Sequence, residues 1–298
     1  MPPGVPESTD APRPTLSVVV PAYNEEESIA ECLGRLVAQP EITEIVVVDN
    51  NSTDRSRQIV DSLALEHTRI HVVTEPRQGL VFARNRGLDA ATGDLIARID
   101  ADTRVGPTWA QTIIDFFTAD TARSWSALCG RGEAYGVPLE GRFDRWKIRV
   151  HPLGRRQAHR AVTEIPVLYG SNMVLRREVW ATIRTRVSMR RDIFEDVDMG
   201  LCVTESGGRN AFLASLTVGV SSRRMETGLM SFVTYMSFLP RTFALHRRVA
   251  LAAGTALVYV PALTVVHAMR LVAIRLYDDE TGRFSTSPRQ LASDRVLP

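Results

Sequence analysis

The chain has 298 residues, a net charge of +2 from 36 Lys+Arg against 34 Asp+Glu, and 44% hydrophobic against 23% charged residues. These values exclude a disordered or collagenous chain, leave room for a full core, and supply no global positive field of the kind that gathers nucleic acid. Cys32, Cys129 and Cys202 stand far apart with no metal-ligand spacing, as expected of free thiols in a reducing compartment.

Residues 1–14 are proline-rich without an apolar run, and read as a flexible leader rather than a secretion signal. From Leu16, short β-branched runs alternate with amphipathic ones. "LSVVVPAYN", "EIVVVDN", "RIHVVTE" and "DLIARIDAD" are expected strands, with helices over 26–38, 53–66 and 79–92, the second opened by the cap-like "NNSTD". Such alternation implies an α/β fold with parallel pairing and ligands at the carboxyl edge of the sheet. After "GPTWAQTIIDFF", a helix with proline at its start, the regularity fades. A strand is expected in "ALCGRGEAY". The basic stretch 142–160 sets Phe143 and Trp146 among Arg142, Arg145, Lys147, Arg149, Arg155 and Arg156, which suits an anionic bilayer or a solvated loop. A helix is expected after "RRDIFEDVDMGLCV", a strand in "AFLASLTVGV" and a helix around 226–246.

Residues 249–266, "VALAAGTALVYVPALTVV", run for eighteen positions (266 − 249 + 1) without a charge. That is the lower edge of the roughly 17–25 residues a bilayer-spanning helix needs. Pro261 inside the run is tolerable in a membrane helix and costly in a soluble one, so membrane contact is expected, with a buried helical hairpin as the alternative.

Four strand ends bring chemistry to one edge: Tyr23, Asn24 and Glu25; Asp49 and Asn50; Glu75 with Arg77; Asp100 with Asp102. On a continuing strand, Asp100 and Asp102 face one way and either repel or share a cation. Carboxylates for ribose hydroxyls and metal, with arginine for phosphate, make a nucleotide-like mixture. Neither a G-x-G-x-x-G after the first strand nor a P-loop is present, which leaves phosphates to metal and arginine.

"SVVVPAYNEEESI", "EIVVVDNNSTDRS", "GLVFARNRGL", "GDLIARIDADT", "LYGSNMVLRREVW" and "FEDVDMGLCV" resemble, in order over residues 16–225, the successive blocks of family 2 glycosyltransferases of the GT-A fold. The resemblance implies a mostly parallel, Rossmann-like sheet with helices on both faces. It divides the chain into a catalytic domain, 15–225, with nucleotide-binding (15–120) and acceptor-binding (121–225) halves, a helical membrane-associated segment, 226–276, and a polar tail, 277–298. By the same resemblance Pro21, Tyr23 and Glu25 line base and ribose, and Asp49 takes the base. Arg77 and Arg84 meet the nucleotide, Arg84 also suiting a structural clamp. Asp100 and Asp102 form the D-x-D, Asp102 holding Mg²⁺ or Mn²⁺ and Asp100 reaching the ribose or a metal-bound water. Asp196 is then the base of an inverting transfer, with Glu195 orienting it or the acceptor. Gly170 and Asn172 floor the donor sugar and acceptor, and Arg223 or Arg224 approaches the diphosphate. No His in 215–225 offers a late metal ligand, and no Q-x-x-R-W block marks a processive polymerase.

The expected function is transfer from a UDP- or GDP-sugar to a hydroxyl or phosphate of a lipid-linked or cell-envelope glycan acceptor, at the cytoplasmic face of the membrane and without nucleic acid. Two alternatives stand beside it. A sugar nucleotidyltransferase needs a glycine-rich basic loop where "PAYNEEES" is acidic, and a silent membrane-tethered nucleotide-binding subunit needs no turnover.

Overall fold

A computed structural model describes residues 13–135, 162–221, 228–278 and 283–284. The leader's residues 1–12, the basic stretch 142–160, and Arg223 with Arg224 lie outside the described residues.

β1 (Leu16–Ala22), β2 (Ile42–Asp49), β3 (Ile70–Thr74) and β4 (Leu95–Arg98) pair in parallel in the order β3-β2-β1-β4. Between them run α1 (Ile29–Val37), α2 (Ser56–Glu66) and α3 (Leu80–Ala90). Strands covered on both faces must be apolar on both, which is why "LSVVVPA" and "EIVVVD" lack polar alternation. The period of two still sorts them. Val18, Val20, Ile45, Val47, Leu95 and Ala97 join one cluster with α1 and α4 (Trp109–Ala119), while Val19, Val46, Val48 and Ile96 join the other, with α3. Pro21 costs no ladder bond toward β4, because the β1–β4 pairing ends at Val19.

Beyond β4 the sheet changes character. β8 (Met173–Arg176) runs antiparallel to β4, and β6 (Ala127–Tyr135) antiparallel to β8. β9 (Asn210–Ser221) lies parallel to β6 and takes β5 (Arg104–Val105) and β7 (Val162–Ile165) antiparallel. α5 (Arg177–Ile183) and α6 (Glu195–Glu205) cover the α3 face through Trp180, Ile183, Met199, Cys202 and Val203. The result is an α/β sheet with helices on both faces, parallel through β3-β2-β1-β4 and mixed thereafter.

Two motif positions differ from expectation. The strand in "DLIARIDAD" stops at Arg98, and Asp100 to Thr103 form a turn in which Thr103 N–H donates to the Asp100 carbonyl (2.9 Å) and Asp100 N–H donates to Thr103 Oγ1 (3.2 Å). The threonine hydroxyl takes the N–H that a ladder would need, so both carboxylates leave from a turn and strand alternation does not set their direction. The helix expected after "RRDIFEDVDMGLCV" instead begins inside it. Glu195, Asp196 and Asp198 form the first turn of α6, where the helix dipole favours negative charge.

The helix expected around 226–246 is two, α7 (Leu229–Met236) and α8 (Phe238–Leu245). α8 lies on α6, where Phe243 packs with Val197 and Leu201 beside Phe194 and Leu239. α9 (Val249–Gly254), a π-helical turn (Thr255–Tyr259) and α10 (Val260–Leu276) then follow without a break. The widened turn comes just before Pro261, whose ring crowds the carbonyl four residues back and which has no N–H to give. Val249–Val272, of mean hydropathy 2.0, is long and apolar enough to cross a membrane, and most of it is exposed, with Val260, His267 and Leu271 buried. Beyond it, β10 (Tyr277–Asp278) and β11 (Arg283–Phe284) pair antiparallel.

Candidate active site

The loops after β1 and β2 are sewn together by their own polar side chains. Asn24 and Asn51 adopt the left-handed conformation (φ 53° and 64°) that asparagine tolerates better than most residues. Asn24 Oδ1 accepts Thr53 N–H (2.8 Å), Glu25 N–H donates to Ser56 Oγ (2.7 Å), and Asp49 Oδ1 accepts Ser52 N–H (3.2 Å). This sets half-exposed Tyr23, Glu25 and mostly buried Asp49 along one rim. Asn50 braces that rim from below. Its Nδ2 donates to the carbonyls of Glu75 (2.7 Å) and Arg77 (2.8 Å), and its Oδ1 accepts Gly79 N–H (2.9 Å). A carboxylate could not make those two donations, which accounts for an amide at this position.

Pro21 is buried within β1, two residues before Tyr23. Arg77 is engaged by the protein: Nε and Nη2 donate to the two Glu75 oxygens (2.9 and 3.1 Å), and its guanidinium lies 4.8 Å from the Phe82 ring centre. The Arg77 side chain and backbone N–H hold the buried Glu75 carboxyl below the usual carboxylate range. Arg77, one of the two arginines expected to meet the nucleotide, holds Glu75 while its own side chain stays largely exposed.

A charge network joins the acid turn to α6. Arg84, buried in α3, donates from Nη2 to Asp100 Oδ1 (2.6 Å) and pairs through Nη1 with Glu195 Oε1. Fully buried Arg98 places Nη2 3.5 Å from the same Glu195 oxygen, and its Nε donates to the Gly170 carbonyl (3.3 Å). Gly170 N–H in turn donates to Asp196 Oδ2 (2.8 Å), while Val197 N–H donates to Oδ1 (2.9 Å). A Cβ on Gly170 would run into Arg98 Nη2 and stand 3.1 Å from Asp196 Oδ2, so only glycine fits. Burial, reinforced by the like charge of Arg84, pushes Arg98 down to about 9, against the opposing pull of Asp196 and Asp100. Arg98 Nη1 and Nη2 and Arg84 Nε make no hydrogen bond, so much of the compensation for these cations is charge alone.

Asp102 is half-buried in the turn, where its carbonyl accepts the Tyr135 hydroxyl (2.7 Å) and the Tyr135 ring lies 4.0 Å from the Arg104 guanidinium. Two carboxylates in one turn are a hard-oxygen donor set that fits Mg²⁺ or Mn²⁺. Asp100 gives Oδ1 to Arg84, and Asp102 is the second carboxylate of the turn.

Asn172 is a correction. It is fully buried, its Oδ1 accepts the Trp109 indole N–H (3.0 Å), and its Nδ2 donates to the carbonyls of Leu216 (2.9 Å) and Arg131 (3.4 Å). It braces α4, β6 and β9 and does not reach a sugar. The three cysteines are free and buried, and burial pushes the Cys32 thiol far up and those of Cys129 and Cys202 up to about 12, which disfavours the bare thiolate at all three.

Residues 17–184 match the family described as Glycosyl transferase family 2. The chain belongs to that family. Among curated proteins it is 33% identical over 106 residues to the uncharacterized glycosyltransferase YibD of Escherichia coli (strain K12), covering 35% of this chain and 31% of the relative. It is 30% identical over 190 residues to the uncharacterized protein MT1568 of Mycobacterium tuberculosis, covering 63% and 57%. The chain thus spans about a third of the length of the first curated relatives it matches. Among solved structures, the mannosyltransferase PcManGT from Pyrobaculum calidifontis, in complex with GDP-Man and Mn²⁺, superposes with a TM-score of 0.63 at 22% identity, over 88% of this chain and 76% of that one. Staphylococcus aureus TarS 1–349 with UDP-GlcNAc gives 0.55 at 18% identity, over 77% and 73%. These likenesses show the expected GT-A fold.

Three residues of the site went unnoticed in the sequence: Arg98, Tyr135 and Thr242. The first had a visible signal, a charge inside the apolar run "LIARI", where burial demands a partner. Tyr135 closes a strand with an ordinary aromatic residue. Thr242, fully buried in α8, accepts Phe194 N–H on Oγ1 (2.9 Å) just ahead of Glu195, and the Phe194 ring meets Tyr235 edge-on at 4.7 Å.

Proposed function

We propose that the protein transfers a sugar from a nucleotide-diphospho-sugar, UDP- or GDP-linked, to an acceptor hydroxyl or phosphate with inversion at the anomeric carbon. The observation that carries this reading is the network Asp100–Arg84–Glu195–Arg98–Gly170–Asp196, which fastens the acid turn to the first turn of α6. Tyr23, Glu25 and Asp49 receive the base and ribose from the rim. Asp102, with Asp100, would hold Mg²⁺ or Mn²⁺, which when bound neutralises charge on the departing diphosphate. Asp196, oriented by the N–H groups of Gly170 and Val197, takes the proton from the acceptor hydroxyl. Glu195, locked by two buried guanidiniums, fixes that end of α6 and so holds the base in line. The bare Gly170 lets Arg98 and Asp196 close in on its backbone, and Arg223 or Arg224 serves the diphosphate. The GDP-Man and UDP-GlcNAc named with the two solved relatives support a donor of this class.

The exposed apolar stretch Val249–Val272 supports an acceptor met at a membrane. A lipid-linked or envelope-glycan acceptor at the cytoplasmic face fits both this stretch and the arginine-rich residues 142–160.

The first test is thermal stabilisation of the protein by UDP, GDP, CDP and dTDP, each with and without Mn²⁺, beside Asp102→Ala. A ligand at ~100 times its Kd adds about 2.7 kcal/mol to stability. One nucleotide is expected to raise the melting temperature only with metal, and the variant to abolish the effect. No metal-dependent response to any of them would overturn the reading.

A further inference from the structure

Asp198, Cys202 and Glu205 recur at i, i+4 and i+7 along α6 and so form one stripe. The residue after α8, His246, is set down on that stripe. Its Nε2 lies 2.9 Å from Asp198 Oδ1, and its Nδ1 lies 3.0 and 3.1 Å from the two Glu205 oxygens. Ligand atoms of Asp198, Cys202 and His246 all lie within 4.8 Å of one another. Asp198 is 1% and Cys202 2% exposed, and the His246 side chain is 7% exposed. Ser188 N–H donates to Asp198 Oδ2 (2.8 Å), which turns Oδ1 toward the imidazole.

We propose that this cluster is a structural transition-metal site of the zinc class, distinct from the acid turn, with Cys202 Sγ, His246 Nε2 and Asp198 Oδ1 as ligands. Thiolate, imidazole and carboxylate together are a borderline-soft donor set that suits Zn²⁺ or Co²⁺, whereas the all-oxygen acid turn suits Mg²⁺ or Mn²⁺. Glu205 supplies what a metal-binding histidine characteristically has on its far side. By accepting the Nδ1–H it fixes the tautomer and leaves the Nε2 lone pair facing Asp198 and Cys202. Ligand atoms around a tetrahedral ion with bonds of ~2.0–2.3 Å stand about 3.3–3.8 Å apart, a spacing these side chains reach by small rotations.

Binding the ion requires the Cys202 thiolate and a free Nε2 lone pair, so any protons on those atoms pass to solvent. Three protein ligands leave a fourth position for water. The ion would pin the end of α8 to α6, one turn beyond the Thr242 bond to Phe194, and so hold the C-terminal helices against the helix that carries Glu195 and Asp196.

The test is Co²⁺ titration of the metal-stripped full-length protein in detergent, read by visible and near-ultraviolet absorption, with Zn²⁺ as competitor. The expected result is thiolate-to-cobalt charge transfer and four-coordinate visible bands that saturate at a single equivalent and vanish on adding Zn²⁺. They should persist in Asp102→Ala, disappear in Cys202→Ser and weaken in His246→Gln. A wild-type spectrum of weak, oxygen-coordinated cobalt without charge transfer overturns the proposal, as does a charge-transfer band that survives Cys202→Ser. If Cys202→Ser fails to fold, the wild-type and Asp102→Ala spectra still decide. Nucleotide binding enters none of these readouts, so the site and the glycosyltransferase reading stand or fall separately.

Discussion

Arg98 gathers much of the site's physics into one side chain. The period of two puts it on the face of β4 shared with Ile96, under α3 and α6, where an apolar residue would pack more cheaply. The guanidinium is kept there by Glu195 and the Gly170 carbonyl. Arg98→Met should therefore lower kcat by about two orders of magnitude, the scale of a misplaced catalytic group, while metal-dependent stabilisation by nucleotide persists. Steady-state kinetics beside melting curves separates the two effects. Glu75 gives a second expectation, about pH. Its carboxyl is held low in the folded protein, so it contributes stability above the unfolded value of about 4.3 and loses it as pH falls through the folded value. Glu75→Gln should flatten the acid limb of the melting temperature plotted against pH, an effect trimmed because Arg77 is largely exposed. The acids of "RIDADT" and "FEDVD" were legible because each motif is contiguous. Arg98 showed only as a charge in an apolar run, and its partner was hidden because Glu195 lies 97 positions on (195 − 98).

Among elements, the early strands and helices follow from the apolar period, a local signal, and not from side-chain caps, which the N-cap residues of α1, α2 and α3 do not make. The turn at Asp100 and the start of α6 inside "FEDVDMG" escaped for a shared reason: a side chain or a dipole, not the hydrophobic pattern, decides where the element ends. Asn172 shows the limit more sharply. A short polar residue beside glycine reads as well for a sugar contact as for a brace, and the indole that claims it comes from α4, 63 positions away. Asn172→Leu should destabilise the protein by about 1–3 kcal/mol, because the Trp109 N–H and the Leu216 carbonyl are left buried and unpaired. Urea unfolding would measure it, and a change within experimental scatter would return Asn172 to the list of possible ligand contacts.

For the whole molecule, the C-terminal helices are both an apolar surface and a buttress. α8 covers α6 through Phe243 and Thr242, whereas Val249–Val272 presents most of its apolar side chains outward, Val260 and Leu271 being buried. Two truncations should separate these roles. Removing residues 249–298 should abolish sedimentation with liposomes yet keep nucleotide-dependent stabilisation. Removing 229–298 should also cost turnover on a water-soluble acceptor, because Phe194 loses Thr242, Tyr235 and Phe238. Equal activity of the two truncated forms would argue that α8 only covers the surface. At this scale the sequence showed the apolar run but not the change from parallel to mixed sheet, which depends on β4 meeting a strand 81 positions later (176 − 95).

That late pairing bears on how the chain is made. As it leaves the ribosome, β1 to β4 can assemble from neighbouring crossovers, but the outer edge of β4 stays open until residues 173–176 emerge to close it. An open edge of Leu95, Ile96 and Ala97 is a template for another nascent chain, and such edges are commonly blunted by a charge. Arg98 is the charge at the end of this one. The side chain that braces Glu195 in the finished protein is thus also the charge at the open end of the half-built sheet.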